Sequence, residues 1–185
     1  MDAAYRLFIE KGYDGLRMQE LADRAGVNKG LLHHYFRSKQ ALFNSIFTRS
    51  VDELFGRIID TAGEEKTLEA RLHGIVDVYF DTLLDNPQLP VFVFFELNRN
   101  PQQVLAYFGL ERLRLLVNNL SANGQEIPIR QALHMVVSMV SLCVFPFMAR
   151  PVILQFMKNQ ADFSRFIEER RPLVKSLLSH MLLTL

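Results

Sequence analysis

The chain has 185 residues, 49% of them apolar, a formal net charge of +1 and one cysteine. That length and apolar fraction suffice for a buried core, and they exclude a disordered tail, a collagen-like rod and a disulfide-stapled miniprotein. The charge is uneven: residues 1–50 hold eight Lys and Arg against five Asp and Glu, a surplus of +3, while the remainder holds 13 against 15. In chain order, Ala4, Leu7 and Phe8 fall at helical spacing on a first helix that Gly12 can end. A second helix follows, with Leu21, Ala22 and Ala25 on its apolar face, and Gly26 permits a left-handed turn at its end. Asn28 is placed to cap a short third helix on which Leu32 points inward, leaving Lys29, Gly30, His33 and His34 outside. Ser38 can cap a fourth, with apolar residues at Leu42, Ile46, Phe47, Leu54, Phe55, Ile58 and Ile59.

Beyond residue 60 every strong periodicity is helical. Leu68 to Leu84 form one stripe that Asn86-Pro87 terminates. Residues 90–97, PVFVFFEL, suit a buried strand by composition, but no partner strand exists elsewhere, which favours a short core helix ending near Asn98. Pro101 suits the first turn of the next helix, which carries Val104, Leu105, Phe108, Leu113, Leu116, Val117 and Leu120 up to Asn123-Gly124. Pro128 opens another. Its run 135–149 is nearly free of charge, yet Arg150-Pro151 interrupts it before the roughly 18 to 20 residues of a membrane span, so it reads as a buried helix and no membrane is expected. A last helix carries Phe163, Phe166, Ile167, Val174, Leu177, Leu178, Met181 and Leu182, with Pro172 able to kink it. The pattern is all-α, with about nine helices.

Residues 16–39 have the layout of a helix-turn-helix. Residues 3–47, in the order LF…KGY…ELA…AGV…LL..YF.SK..L, resemble the DNA-binding domain of the tetracycline-repressor (TetR/AcrR) family, over about a quarter of the chain. The resemblance implies a three-helix DNA-binding domain at 1–45 and a helical effector-binding and dimerisation domain at 46–185. It also implies a one-component transcriptional regulator, a homodimer that binds a palindromic double-stranded operator, most often a repressor, released by a small effector. Lys29, Gly30 and His33 match positions that meet base edges in the family, and His34, Tyr35 and Lys39 match positions nearer the phosphates. Arg17 and Gln19 fall where phosphate and occasional base contacts occur, although both also read as ordinary solvated side chains. Two positions depart from the pattern: His33 stands where Tyr is usual, and Leu31 replaces a small polar residue. Met1-Asp2 begins almost inside the first helix, where relatives often carry a basic arm, which suggests a truncated start.

No catalytic or metal pattern appears. There is no phosphate-cradling glycine motif, C-x-x-C, H-E-x-x-H or nucleophile elbow, so neither an enzyme nor a bound cofactor is expected. Adjacent His33 and His34 point about 100° apart and make a poor metal pair; His73, His134 and His180 are isolated. The opening MDAAYRLF does not read as a secretory signal and Cys143 reads as an inert buried thiol, which fits a cytoplasmic protein. Polar residues inside apolar stripes are the effector-pocket candidates: Tyr79, Glu96, Asn98, His134 and Ser138, with Phe95, Met135, Met139 and Phe147 as walls. Glu96 there would favour a neutral or cationic effector. Val174, Leu177, Leu178, Met181 and Leu182 are the candidate dimer seam. Two readings stand beside the regulator: a helical interaction module, and a lipid carrier or enzyme domain without specific DNA binding.

Overall fold

A computed structural model describes residues 2–64, 67–108 and 128–183, and these are all-α. The helices are α1 (Asp2–Gly15), α2 (Met18–Ala25), α3 (Lys29–Phe36), α4 (Lys39–Glu64), α5 (Leu68–Asp85), α6 (Leu89–Arg99), α7 (Pro101–Phe108), α8 (Ile129–Met148), a four-residue α9 (Arg150–Ile153) and α10 (Gln160–Leu183), with a 3-10 turn at Leu154–Phe156. The expected stripe at Leu113, Leu116, Val117 and Leu120 lies outside the described residues. Residues 91–95 belong to α6, as the lack of a partner strand implies. Thr67 caps α5 by accepting from the Ala70 N–H at 3.1 Å, Asn86 closes it, and Pro101 and Pro128 stand at the starts of α7 and α8.

Two apolar cores form. One joins α1–α3 and the first half of α4, through Leu7, Phe8, Leu16, Leu21, Phe43 and Phe47, and it also takes Phe92 from α6 and Val104 from α7. The other surrounds α5, which packs against α4, α8 and α10. Helix α4 serves both: Leu42 to Val51 face the first core, and Leu54, Ile58 and Ala62 face the second. The expected domain division at 45/46 therefore falls inside one continuous helix.

Helix α8 runs for 20 residues because it starts at Ile129, and by length and composition alone it is apolar enough to cross a membrane; its inner stripe, Ala132, Met135, Met139, Cys143 and Phe147, nevertheless belongs to the second core. Burial pushes the Cys143 thiol up to about 12, keeping it protonated. Pro146 has no N–H, so the carbonyl four residues back, at Leu142, loses its helical donor. Arg170 Nε on α10 donates to that oxygen at 3.3 Å. Charge fixes α10 to α5: Arg171 meets Asp81 at 2.7 Å and Asp77 at 3.1 Å, and Lys175 meets Asp77 at 2.6 Å. His73 joins the same seam at 2.9 Å from Ser179 Oγ.

The expected dimer seam is corrected by the packing of α10. Val174 and Leu178 are fully buried in the chain's own core, and Met181 and Leu182 lie half-buried against it. Leu177 is exposed, together with Leu173 one turn before it. Both stripes are apolar, and one residue of offset turns a helix by 100°, so periodicity alone does not say which stripe faces inward.

Helices α4 and α5 approach closely at Gly74, where a Cβ would stand 2.5 Å from Thr61 Cγ2. Gly74→Ala is expected to lower stability to chemical denaturation despite alanine's better helix propensity, and in a Thr61→Ala background the same change is expected to raise it by about 1 kcal/mol. Equal effects in both backgrounds would show that the contact does not limit the crossing.

Candidate nucleic-acid interface and effector cavity

The α2–α3 turn is built from backbone hydrogen bonds. Gly26 sits at φ 64°, ψ 30°; its N–H donates to the Asp23 carbonyl at 3.3 Å, and the Val27 N–H donates to Ala22 at 3.0 Å, which closes α2 in a Schellman motif. Asn28 Oδ1 then accepts from the Gly30 N–H at 2.7 Å. Leu32 and Phe36 alone turn toward the core, and Lys29, Gly30, Leu31, His33, His34, Tyr35 and Arg37 are all exposed. Ala25, expected on the buried face of α2, is exposed at its end; Leu21 and Ala22 carry that face. Helix α3 ends at Arg37, φ 54°, ψ −39°, where the Ser38 N–H donates to the Phe36 carbonyl in a γ-turn of the rarer hand. Ser38 Oγ accepts from the Ala41 N–H at 3.1 Å and starts α4.

The candidate DNA contacts do not share one environment. Arg17, Lys29 and His34 are exposed, and His34 stands edge-on to Tyr35 at 5.6 Å. Gln19 donates to Asp23 Oδ1 at 2.9 Å. His33 Nδ1 lies 3.2 Å from the Arg37 carbonyl; that bond selects the Nδ1–H tautomer and leaves Nε2 as an outward acceptor. Lys39 is turned inward. Its ammonium donates to the Leu16 carbonyl at 3.0 Å and lies 4.5 Å from the centre of the Tyr13 ring, so it clamps the start of α4 to the end of α1. Its α1 partner is shaped by Gly12, at φ 69° and ψ 176°, a backbone region essentially limited to glycine.

A cavity of about 440 Å³ lies between α4, α5, α6 and α8. Val136, Val140, Val144 and Met148 form its α8 wall, Val93, Phe94 and Leu97 its α6 wall, and Val51, Leu54 and Phe55 its α4 wall. Among the described residues, Tyr79 and Ser141 are its polar groups, and no Asp, Glu, Lys, Arg or His of these lines it. Burial raises the Tyr79 pKa, so the phenol stays protonated. Of the nine expected pocket residues only Tyr79 lines this cavity, whereas Phe95, Glu96 and Asn98 line a second one of about 430 Å³ against Phe8 and Tyr13 of α1 and Phe43 of α4. Met135, Met139 and Phe147 fill the second core, Ser138 is half-buried outside the cavity, and His134, Phe95 and Asn98 are exposed. Glu96 is buried but faces the other way. Both its oxygens accept from Arg99, Nε and Nη2 each at 2.8 Å, and the Arg99 guanidinium lies 3.9 Å from the centre of the Tyr13 ring. Glu96 is thus paired with Arg99 in the lining of the second cavity and does not set the charge of the α4–α8 cavity.

Residues 1–46 match the sequence profile of the bacterial regulatory proteins, tetR family. The transcriptional regulator BetI of Escherichia coli is 30% identical over 138 residues, covering 71% of this chain and 70% of BetI. This chain belongs to the TetR family. The transcriptional activator FasR of Mycolicibacterium smegmatis is 34% identical over 86 residues, 46% of this chain, and that match spans only 39% of FasR. The Bacillus subtilis regulator FadR, solved in complex with stearoyl-CoA, shares the fold at a TM-score of 0.68 and 18% identity, covering 95% of each chain.

As a TetR-family member the protein is a DNA-binding transcriptional regulator and not an enzyme. What the sequence reading missed in this TetR-family chain is the double role of α6. One face, Leu89, Pro90, Val93, Phe94 and Leu97, lines the cavity, while Phe92, Glu96 and Arg99 meet α1 and α4. The signal was present as an alternation within PVFVFFELNR, but an all-apolar helix does not reveal its two partners.

Proposed function

We propose that this TetR-family regulator binds a palindromic operator as a homodimer in the cytoplasm, acts as a repressor, and is released by an apolar effector held in the α4–α8 cavity. The observation that carries the DNA reading is α3: outside Leu32 and Phe36 its whole surface is exposed, and both its ends are fixed by capping hydrogen bonds. Lys29, Gly30 and His33 meet base edges, with Arg17, Gln19, His34 and Tyr35 flanking them toward the phosphates. Lys39 contributes by holding α4 in register, its ammonium donating to the Leu16 carbonyl at 3.0 Å and the Asp14 carbonyl at 3.5 Å, and any phosphate contact uses the one ammonium hydrogen that remains. Dimerisation is supported by the exposed apolar side chains Leu173 and Leu177 of α10 and Leu133 and Val137 of α8.

The cavity and the stearoyl-CoA held by FadR together support an effector whose buried part is an uncharged hydrocarbon chain, with Tyr79 or Ser141 meeting one polar atom. Its presence is transmitted through α6, because that helix lines the cavity and holds α1 through Arg99 and Tyr13.

Selection from a random DNA library by the purified protein is expected to enrich a two-fold symmetric site that also lowers transcription from a promoter carrying it. Lys29→Ala should weaken that site by roughly 5- to 150-fold. Leu173→Glu with Leu177→Lys should give a folded monomer in light scattering that no longer retains the site. An absence of enrichment, or a monomeric variant that binds as the wild type does, would contradict the reading.

The effector reading is checked by thermal shift. Stearoyl-CoA is expected to raise the melting temperature and release DNA, free coenzyme A to do neither, and Val140→Trp, which fills the cavity, to abolish the stearoyl-CoA response. A response that survives Val140→Trp places the effector elsewhere.

A further inference from the structure

Helix α3 has two unlike flanks. Taking Leu32 and Phe36 as the inward stripe, the 100° turn per residue puts Lys29 and His33 on one side and Leu31 and Tyr35 on the other, with Gly30 and His34 between them at the crest. The first flank is polar. The second is apolar: Leu31 and Tyr35, one helical turn apart, are 47% and 72% exposed, and Val27, in the turn before the helix, is 36% exposed. A single exposed leucine needs no explanation, but Leu31 with Tyr35 one turn further on, beside the polar groups proposed to meet DNA, makes an apolar edge on the helix. Leu31 occupies the first turn of α3, the part of a recognition helix that reaches base edges, whereas Tyr35 lies one turn further toward the backbone.

We infer that Leu31 is a specificity-determining residue that reads the 5-methyl group of one thymine in each operator half-site. The chemistry is narrow. Base-pair edges in the major groove present donors and acceptors that a leucine cannot pair, and the thymine methyl is their only apolar feature. A cytosine, guanine or adenine edge placed against Leu31 would lose water from its polar atoms without recovering a hydrogen bond. Gly30 assists, because the crest without a side chain lets the backbone approach the groove floor and brings the neighbouring flank within reach. Lys29 and His33 would read the polar edges of adjacent pairs, so that one short helix combines a hydrogen-bonding and an apolar reading edge.

This inference rests on the reading that α3 enters the major groove, and the test separates the two. Each thymine of the selected operator is replaced in turn by deoxyuridine, which removes only the methyl, and affinities are measured by fluorescence anisotropy for the full chain and for Leu31→Ala. One symmetric thymine pair is expected to respond. Removing its methyl should weaken wild-type binding about fourfold per half-site, hence roughly 15-fold for both, as expected for losing one buried methyl contact at each. Leu31→Ala should bind the thymine and deoxyuridine operators equally, and its melting temperature should stay at the wild-type value because Leu31 lies outside both cores. If no replacement matters more to the wild type than to Leu31→Ala, or the operator contains no thymine, the inference fails while operator binding stands. If the wild type selects no operator and Lys29→Ala changes nothing, it is the reading of α3 itself that fails.

Discussion

The structure depends on one constraint: the helices that build the DNA reader cannot complete their core alone. Phe92 of α6 packs edge-on to Tyr5 at 5.4 Å and lies 5.2 Å from Phe43 and 5.7 Å from Phe47, while Val104 of α7 is fully buried in the same cluster. Three short helices and half of α4 bury too little apolar surface for independent stability, and these two side chains, from α6 and α7, close the gap. Polar ties follow the same boundary. The Tyr5 hydroxyl donates to Asn86 Oδ1 at 2.8 Å, Gln103 donates to Asn44 Oδ1 at 3.0 Å, and the Glu96–Arg99 pair rests on Tyr13.

That constraint bears on function. The reader's orientation is set by α4 and α6, and both line the cavity, through Val51, Leu54 and Phe55 on one side and Val93, Phe94 and Leu97 on the other. A ligand can shift DNA affinity only by the difference in its own affinity for the competent and incompetent arrangements. Separating these two helices would enlarge the cavity and disturb the reader together. The Arg99 guanidinium, fixed by both Glu96 oxygens and stacked on Tyr13, makes the α6 side stiff, and Lys39 on the same ring extends that stiffness to the residue after Ser38. Tyr35, the last candidate contact on α3, is thus four residues from a cation that shares its aromatic partner with α6.

The reader was legible in the sequence because its determinants are local. Gly26, Asn28 and Ser38 act on backbone groups within a few residues of themselves, so their types and spacing specify the turn and the caps before any packing is known. The helical class of residues 90–97 was legible by elimination, since a lone strand has nothing to pair with. The cavity was not. Helix α8 is apolar around most of its circumference, so Met135 and Met139 and the neighbouring Val136 and Val140 are equivalent in sequence although one pair fills a core and the other lines a void. Glu96 drew notice as a charge in an apolar run, but its partner Arg99 sits one turn away on the same helix, and only the fold shows that the pair faces Tyr13. Lys39 failed to reveal its inward turn for the same reason: its carbonyl partner at Leu16 is 23 residues distant.

The central claim is that α6 mechanically connects the reader to the cavity, and native-state amide hydrogen exchange of Phe92→Ala tests it most directly. The account predicts that amides of α1, α2, α3 and the first half of α4 lose protection equivalent to about 3 to 5 kcal/mol, the usual cost of truncating a buried phenylalanine, although the substitution lies in none of those helices. Unchanged protection in those helices, with losses confined to α6 and its cavity-facing neighbours, would contradict it.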